Sequence, residues 1–276
     1  MLPSLFGHRG ARPQPENTMA AFREAVRQGV RAIETDFHAT ADNHLVVMHD
    51  PTVDRMTEGE GRIDHLTLDQ IRDLKVASQH DIPTADDVLG YAAREKLFVD
   101  MEIKCPEKLG VEQTIAAKVR QHGMQSQVTI TADDPQFLQR MKAELPEATT
   151  GLVMRAKPLY RLTGWAAAAG AVGLGLAATL TGLPVLAGVL GGAVVGAAAG
   201  FHLFKRHLQS KGLNQGSDHL MPHWLLVDRH LVSRATERGQ EVVPYGVNGE
   251  GRGERLKRLG VHGLITDYPE RFLGSD

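Results

Sequence analysis

The chain has 276 residues and a formal net charge of −2 at pH 7, with acidic and basic side chains in nearly equal number. That length suits one large α/β domain or two small ones. Mixed charge without a basic patch argues against a nucleic-acid partner. Cys105 is the only cysteine, which excludes an internal disulfide and fits a reducing compartment. The first residues lack the apolar core of a signal peptide, so we expect the folded part of the chain in the cytosol.

The first elements alternate between strand and helix. Leu5–Gly7 is a short apolar run that predicts a strand, and the loop His8-Arg9-Gly10 follows it. Met19–Gln28 has the periodicity of a helix. The chain therefore begins with a strand, a loop that carries ionisable side chains, and a helix.

Two carboxylates lie on the strand predicted after this helix. Polar and apolar residues alternate there, so Glu34 and Asp36 point to the same face. Burying two unpaired carboxylates is costly, and a divalent cation with oxygen ligands would offset that cost. The alternative is a surface edge strand, on which the carboxylates cap the edge or pair with Arg31 and Arg55.

Further strands and helices follow along the chain. A short strand at Leu45–Met48 delivers His49 and Asp50 at its end, and a polar excursion with a small helix at Leu66–Ile71 comes next. Strands are then predicted at Leu97–Lys104, Val128–Ile130, Thr149–Met154, Trp224–Val227, Val242–Tyr245 and Gly263–Thr266. Helices are predicted at residues 83–94, 111–122, 135–144, 231–238 and 252–259.

Apart from the short strand before His49, eight strands alternate with helices. This order, in a chain of this length, predicts an α/β fold, a (β/α)8 TIM barrel, with a doubly wound sheet as the alternative. The barrel is favoured because charged residues fall at the C-terminal ends of strands from early to late in the chain. In a barrel those ends converge on one mouth.

One segment interrupts this alternation. Residues 165–204 carry no formally charged side chain and consist almost entirely of alanine, glycine, leucine and valine. Gly182-Leu183-Pro184 divides the segment into two arms, each about long enough to cross a bilayer, and basic residues flank both ends. We expect an inserted hydrophobic helical hairpin, two-pass or re-entrant, that holds the chain in a membrane with its barrel in the cytosol.

Small residues repeat along this predicted hairpin. Its second arm carries Gly188, Gly192, Gly196 and Gly200, a smooth stripe that suits close helix contact within one chain or in a homo-oligomer. A buried hairpin in a soluble domain and a flexible linker are the alternatives. The predicted organisation is a first barrel part at residues 1–155 with a small insertion near 51–82, the hairpin with its flanks at 156–218, and a last barrel part at 219–276.

The candidate catalytic and binding residues lie at the ends of the predicted strands. Two histidines suit an acid/base pair because imidazole titrates near neutrality, and three carboxylates suit a hard cation. Two basic side chains supply positive charge for an anion such as phosphate. These residues are His8 and His49, then Glu34, Asp36 and Glu102, and finally Arg9 and Lys104. Together they describe phosphodiester cleavage.

With these residues the chain resembles the glycerophosphodiester phosphodiesterase family. The matching pieces stand in the family's order and spacing and cover nearly all of the chain outside roughly residues 156–218. They are Gly7-His8-Arg9-Gly10, Pro15-Glu16-Asn17-Thr18, Glu34-Thr35-Asp36, His49-Asp50-Pro51, Glu102-Ile103-Lys104 and Gly263–Pro269. The resemblance implies a TIM barrel and a small insertion after His49.

The resemblance also implies roles for single residues. It implies Glu34, Asp36 and Glu102 as ligands of a divalent metal ion, His8 and His49 as the acid/base pair, and Arg9 and Lys104 on the phosphate. Glu16 and Asn17 would support the site, with capping of the first helix as the alternative. Mg²⁺, Ca²⁺ and Mn²⁺ all accept such a ligand set.

Two stretches depart from the family's pattern. The family often has a strand end of Ser-Phe type where this chain has Thr131-Ala132-Asp133, and commonly a tryptophan where this chain has Pro244–Asn248. Both lie near the alcohol end of the substrate, so the leaving alcohol stays open.

The implied activity is metal-dependent hydrolysis of glycerophosphodiesters to glycerol 3-phosphate and an alcohol, at the cytosolic membrane surface. A lysophospholipase D that acts on membrane lysolipids is the close alternative. An inactive, membrane-tethered binding or scaffold protein is the alternative from another class, and it would be expected to have lost at least one site residue. Because the hairpin follows the fifth barrel strand, we expect it at the mouth that carries the site.

Overall fold

The computed structural model describes residues 2–156, 205–210, 212–213 and 215–274. The strands are β1 (Leu5–His8), β2 (Ala32–Ala39), β3 (Leu45–Val47), β4 (Lys75–Val76), β5 (His80–Asp81), β6 (Phe98–Ile103), β7 (Val128–Ala132), β8 (Thr149–Met154), β9 (His219–Pro222), β10 (Glu241–Val242) and β11 (Leu264–Thr266). The helices are α1 (Met19–Arg27), α2 (Leu68–Arg72), α3 (Ala85–Glu95), α4 (Val111–Gln121), α5 (Pro135–Glu144), α6 (Arg229–Thr236) and α7 (Glu250–Arg258), and residues 205–210 are also helical.

Eight parallel strands form the barrel, in the order β11-β1-β2-β6-β7-β8-β9-β10. The two ends of this sheet meet through Tyr245, which bridges in parallel to His223 on one side and to Ile265 on the other. The predicted TIM barrel is confirmed, and the doubly wound sheet is wrong because the first and last strands, β1 and β11, pair directly.

Both faces of the barrel wall are covered. Every residue of β2 is buried, since the inner face fills the barrel and the outer face packs under helices. Local signals set where those helices begin: Thr84 forms a capping box with Asp87 ahead of α3, and Asp134 caps α5, which has Pro135 in its first turn.

One strand was predicted in the wrong place. The apolar run Trp224–Val227 is not a strand: Trp224–Leu226 is a 3-10 turn, and the sixth barrel strand is β9, which starts five residues earlier in the chain. After Pro222 the His223 side chain accepts a hydrogen bond from the Leu225 amide, so the backbone turns. The apolar residues of the turn serve packing, because Leu226 is fully buried.

The segment after His49 folds over its own small core. It contains a 3-10 turn at Ile63–His65, the helix α2 and the two-stranded antiparallel sheet of β4 and β5. The buried residues of this core are Val46, Met48, Val53, Ile63, Leu68, Ile71, Val76 and Ile82. The core begins on β3, which pairs with the end of β2, so the segment is fixed to the barrel beside His49.

The predicted hairpin at residues 165–204, with its glycine stripe, lies outside the described residues. Within the described ranges, no helix combines the length and the apolar character needed to cross a bilayer. The chain leaves the barrel after β8, the fifth barrel strand, and returns ahead of β9. Near the return point Lys205 pairs with Asp228 at 3.0 Å, and Gln209 donates to the Leu226 carbonyl at 2.7 Å.

Candidate active site

A cavity of about 230 Å³ opens at the C-terminal ends of the barrel strands. Its lining includes six of the predicted site residues, namely His8, Arg9, Glu34, His49, Glu102 and Lys104. Asp36, the seventh, lies directly behind them with no exposed surface. The topology therefore brings together side chains that lie up to 96 positions apart in the sequence (8 to 104).

The three predicted ligand carboxylates form one cluster. Glu34 and Asp36 lie on β2, and Asp36 stands in register with Glu102 on the neighbouring strand β6. One oxygen from each of the three carboxylates lies within 4.8 Å of the others. Because β2 is flanked by β1 and β6, the edge-strand alternative for these carboxylates is wrong.

Within this cluster, the surroundings of Glu34 disfavour its negative charge. Burial raises the pKa of Glu34 well above its usual range, and the neighbouring charges of Asp36 and Glu102 raise it further. In the described part of the chain, the buried Oε1 of Glu34 has no hydrogen-bond partner. Three converging carboxylates with an unpartnered oxygen fit a hard divalent cation, which would neutralise the repulsion that raises this pKa.

Two buried cations hold the other side of the cluster. Lys104 places its Nζ 2.8 Å from Asp36 Oδ1 and 2.5 Å from Glu102 Oε1, and Arg9 places its Nε 3.1 Å from Asp36 Oδ2. Burial alone would raise the pKa of Asp36, but Lys104 and Arg9 hold it far below its usual range. These basic side chains keep Asp36 ionised and lie in the wall of the cavity.

His8 is backed by a carboxylate. Its Nδ1 lies 2.5 Å from Asp267 Oδ1, and Asn248 holds the other oxygen of Asp267 through a 2.7 Å hydrogen bond from its Nδ2. Burial opposes ionisation of Asp267, but the hydrogen bond with His8 lowers the pKa of Asp267 below its usual value. Since the carboxylate engages Nδ1, the Nε2 atom remains for the cavity, 3.8 Å from Glu34 Oε2.

His49 is backed in the same way. Its Nδ1 lies 2.7 Å from Asp50 Oδ1, and Arg55 places its Nε 2.5 Å from Asp50 Oδ2. The hydrogen bond from Arg55 lowers the pKa of Asp50 to about 2. Burial lowers the pKa of His49, partly opposed by the charge of Asp36. Both histidines thus direct Nε2 away from a carboxylate that fixes the ring.

Glu16 and Asn17 contact the site residues and do not cap the helix. Asn17 donates from Nδ2 to Asp36 Oδ2 at 2.8 Å and accepts from Thr35 at 3.0 Å. Arg9 donates to Glu16 Oε1 at 3.1 Å. The cap of α1 is Thr18, whose side chain accepts from the Ala21 amide, so the capping alternative is wrong.

Several residues in the site received no role from the sequence. Asp267 follows β11, and the rule that charged strand ends meet at the mouth could have found it. Asp100 lies on the same face of β6 as Glu102, where burial raises the pKa of Asp100 to about 7 although Thr131 donates to it at 2.7 Å. Arg155, at the end of β8, lies 3.2 Å from Glu102 Oε1.

Sequence and structure comparisons agree on one family. The sequence profile of the Glycerophosphoryl diester phosphodiesterase family matches residues 8–271. A relative named glycerophosphodiester phosphodiesterase, from Caldanaerobacter subterraneus subsp. tengcongensis, is 28% identical in an alignment of 280 positions that covers 98% of this chain and 96% of the relative.

Solved structures with the same fold include two bacterial proteins. A phosphodiesterase from Oleispira antarctica in complex with the product sn-glycerol-3-phosphate superposes with a TM-score of 0.70 at 21% identity, over 98% of this chain and 95% of that one. A protein from Silicibacter pomeroyi superposes with a TM-score of 0.72 at 22% identity, over 98% of this chain and 92% of that one. The match of the family profile across nearly the whole chain, on a TIM barrel whose mouth gathers the expected side chains, shows that the chain belongs to the Glycerophosphoryl diester phosphodiesterase family.

Proposed function

We propose that the chain is a metal-dependent phosphodiesterase that hydrolyses glycerophosphodiesters to glycerol 3-phosphate and an alcohol. One observation carries the proposal: two histidines, each backed by a carboxylate, line the same cavity as a cluster of three carboxylates. The relative from Oleispira antarctica, crystallised with sn-glycerol-3-phosphate, supports this choice of product.

Glu34, Asp36 and Glu102 would hold the divalent cation. All three ligands are carboxylates, which favours Mg²⁺, Ca²⁺ or Mn²⁺ over softer metals. A cation bound there supplies Lewis-acid polarisation of a phosphoryl oxygen. Arg9 and Lys104 lie beside the same carboxylates and would orient the remaining phosphate oxygens.

The two histidines would move the protons. One imidazole accepts at Nε2 the proton of the attacking oxygen, which belongs to water or to the glycerol 2-hydroxyl where that is free. Attack by the hydroxyl would give a cyclic glycerol phosphate, which water then opens to glycerol 3-phosphate. The other donates a proton to the leaving alcohol as its phosphorus–oxygen bond breaks. Asp267 and Asp50 hold the rings, because each engages Nδ1 and so fixes the tautomer.

Hydrolysis of glycerophosphocholine by the purified protein tests the proposal. We expect release of glycerol 3-phosphate, loss of turnover with a chelator, and recovery when one of the three metals is added in excess. A protein that bound the metal yet released no glycerol 3-phosphate from any glycerophosphodiester would instead be the inactive binding or scaffold protein.

We further propose that residues 165–204 hold the protein in a membrane, with the barrel on the cytosolic side. The uncharged composition of this segment supports the proposal, as do the basic residues at both of its ends. Carbonate extraction of membranes tests it: we expect the full-length protein in the pellet, and release into the supernatant would contradict it.

A membrane lysolipid is the second candidate substrate. It is favoured because the chain leaves the barrel at the C-terminal end of β8, where Arg155 contacts Glu102 in the cavity. Tethering there would raise the effective concentration of a membrane-resident substrate. Replacing residues 162–204 by a Gly/Ser linker should spare turnover of glycerophosphocholine and reduce turnover of lysolipid in liposomes. Equal effects on both substrates would contradict the lipid proposal.

A further inference from the structure

Arg55 lies outside the cavity, in the segment that follows His49. Its side chain is half-exposed, at 48%. It is not among the residues that line the cavity. Exposed ion pairs usually add little to the stability of a protein. The importance of Arg55 therefore depends on which residues it contacts.

Arg55 contacts two carboxylates, and each of them contacts a different residue of the site. Arg55 places Nε 2.5 Å and Nη2 3.3 Å from the two oxygens of Asp50, and the same Nη2 lies 2.7 Å from Glu16 Oε1. Asp50 engages His49 Nδ1 at 2.7 Å. Glu16 engages Arg9 at 3.1 Å through the same Oε1 that Arg55 contacts.

We propose that Arg55 is a positioning residue that sets the proton-transferring His49 and the phosphate-binding Arg9 at the same time. The inference rests on the proposed phosphodiesterase function. One guanidinium spans two carboxylates, and each carboxylate orients one site residue that faces the cavity. The small core of residues 46–82 thereby sets the geometry of the barrel mouth through a single side chain.

The geometry of arginine explains why this position requires it. Its planar fork can engage Asp50 with two nitrogens and still reach Glu16, whereas a lysine ammonium is a single point charge on a flexible stem. A displacement of about 1 Å in a reacting group costs on the order of a hundredfold in rate. Loss of Arg55 would release both carboxylates, and with them His49 and Arg9.

Three single variants test the inference by steady-state kinetics on glycerophosphocholine at saturating metal. We expect Arg55→Ala to lower kcat about ten- to a hundredfold and to raise KM severalfold, and Arg55→Lys to restore part of both. Arg62→Ala is the matched control, since Arg62 lies in the same segment, is 51% exposed, and pairs with Asp64 at 2.9 Å without reaching the site. We expect it to leave both constants unchanged.

Two double-mutant cycles separate the route through Asp50 to His49 from the route through Glu16 to Arg9. In an Asp50→Asn background, Arg55→Ala should still raise KM but should lower kcat little further. In a Glu16→Gln background, Arg55→Ala should still lower kcat but should raise KM little further. Independent, additive effects in both backgrounds would overturn the inference, as would an Arg55→Ala protein that behaves like Arg62→Ala. If the wild-type protein shows no turnover, the proposed function falls and this inference with it.

Discussion

The two sides of the barrel mouth are built from different chemistry. The side formed by β1, β2 and β6 buries carboxylates and cations against one another, as the contacts of Asp36 with Arg9 and Lys104 show. The side formed by β8 to β11 presents mostly apolar side chains, namely Val153, Met221, Tyr245 and Ile265 together with His223, and Arg155 lies where it meets Glu102 of the first side. Burial and the nearby charge of Arg252 lower the pKa of His223 to about 4, so this histidine is neutral near pH 7.

This difference separates two tasks within one cavity. In the proposed mechanism the first side binds the metal ion and carries both histidines, although Asp267, the carboxylate that fixes His8, follows β11. The second side offers shape and apolar contact, which suit the organic part of a substrate. Four substitutions test that division, in order of decreasing effect.

Glu34→Gln should have the largest effect. It removes one of three clustered negative charges, so we expect weaker binding of the divalent cation and a loss of turnover of at least about four powers of ten. Calorimetric titration with Mg²⁺ and steady-state kinetics measure the two effects. The melting temperature of the metal-free protein should not fall, because the substitution relieves like-charge repulsion at a buried site. Unchanged metal affinity would remove Glu34 from the ligand set.

His49→Ala should lower kcat by about two to four powers of ten at saturating metal, because it removes a proton-transfer group. His44→Ala is the control: His44 lies in the loop ahead of β3, is 50% exposed and pairs only with Asp42 among the contacts seen. We expect the control to keep wild-type kcat. Wild-type kcat in His49→Ala would show that the acid/base pair lies elsewhere.

Asp267→Asn should lower kcat about ten- to a hundredfold. The amide no longer supplies the negative charge that holds His8 in one tautomer, although Asn248 remains beside it. The measurement is the pH dependence of kcat, which should change in shape as well as in height. A uniform fall in kcat with an unchanged pH profile would indicate a structural role for Asp267 instead.

His223→Gln should have the smallest effect. Burial lowers the pKa of its imidazole to about 4, so we expect it to stay neutral between pH 6 and 8. We expect KM to change by less than about tenfold and the pH profile of kcat to keep its shape. A changed pH profile would place proton transfer on the second side too and break the division.

The sequence predicted the charged side far better than the apolar one. Strand-end residues such as Glu34 and Glu102 carry a local signal, because carboxylates are unusual on strands that are otherwise apolar. The sixth barrel strand was misplaced by five residues at its start (219 rather than 224), because its short run from His219 to Pro222 lacks an apolar pattern and the apolar residues follow it.

Contacts between residues far apart in the sequence also could not be predicted from local sequence patterns. Nothing within a few positions of Asp267 indicates that it meets His8, since 259 positions separate the two residues and only barrel closure joins them. Arg55 lies close to Asp50 in sequence, but its contact with Glu16 spans 39 positions and depends on how the segment after His49 packs. Such contacts follow from tertiary packing, which periodicity does not encode.

The direct pairing of β8 with β9 has an engineering consequence. These strands keep a continuous parallel register from Gly151 opposite His219 to Met154 opposite Pro222, although 64 residues separate their facing ends in the sequence (155 to 218). The backbone pairs of the ladder all come from β8 and β9, but the described end of the intervening segment also supports the barrel: Asp218 accepts from the Thr150 amide, and Leu213 lies in the core. An exchange of the segment should therefore be confined to residues 157–204. We expect such an exchange to leave turnover of a soluble glycerophosphodiester unchanged, because the strand pairing and the site lie outside the exchanged residues.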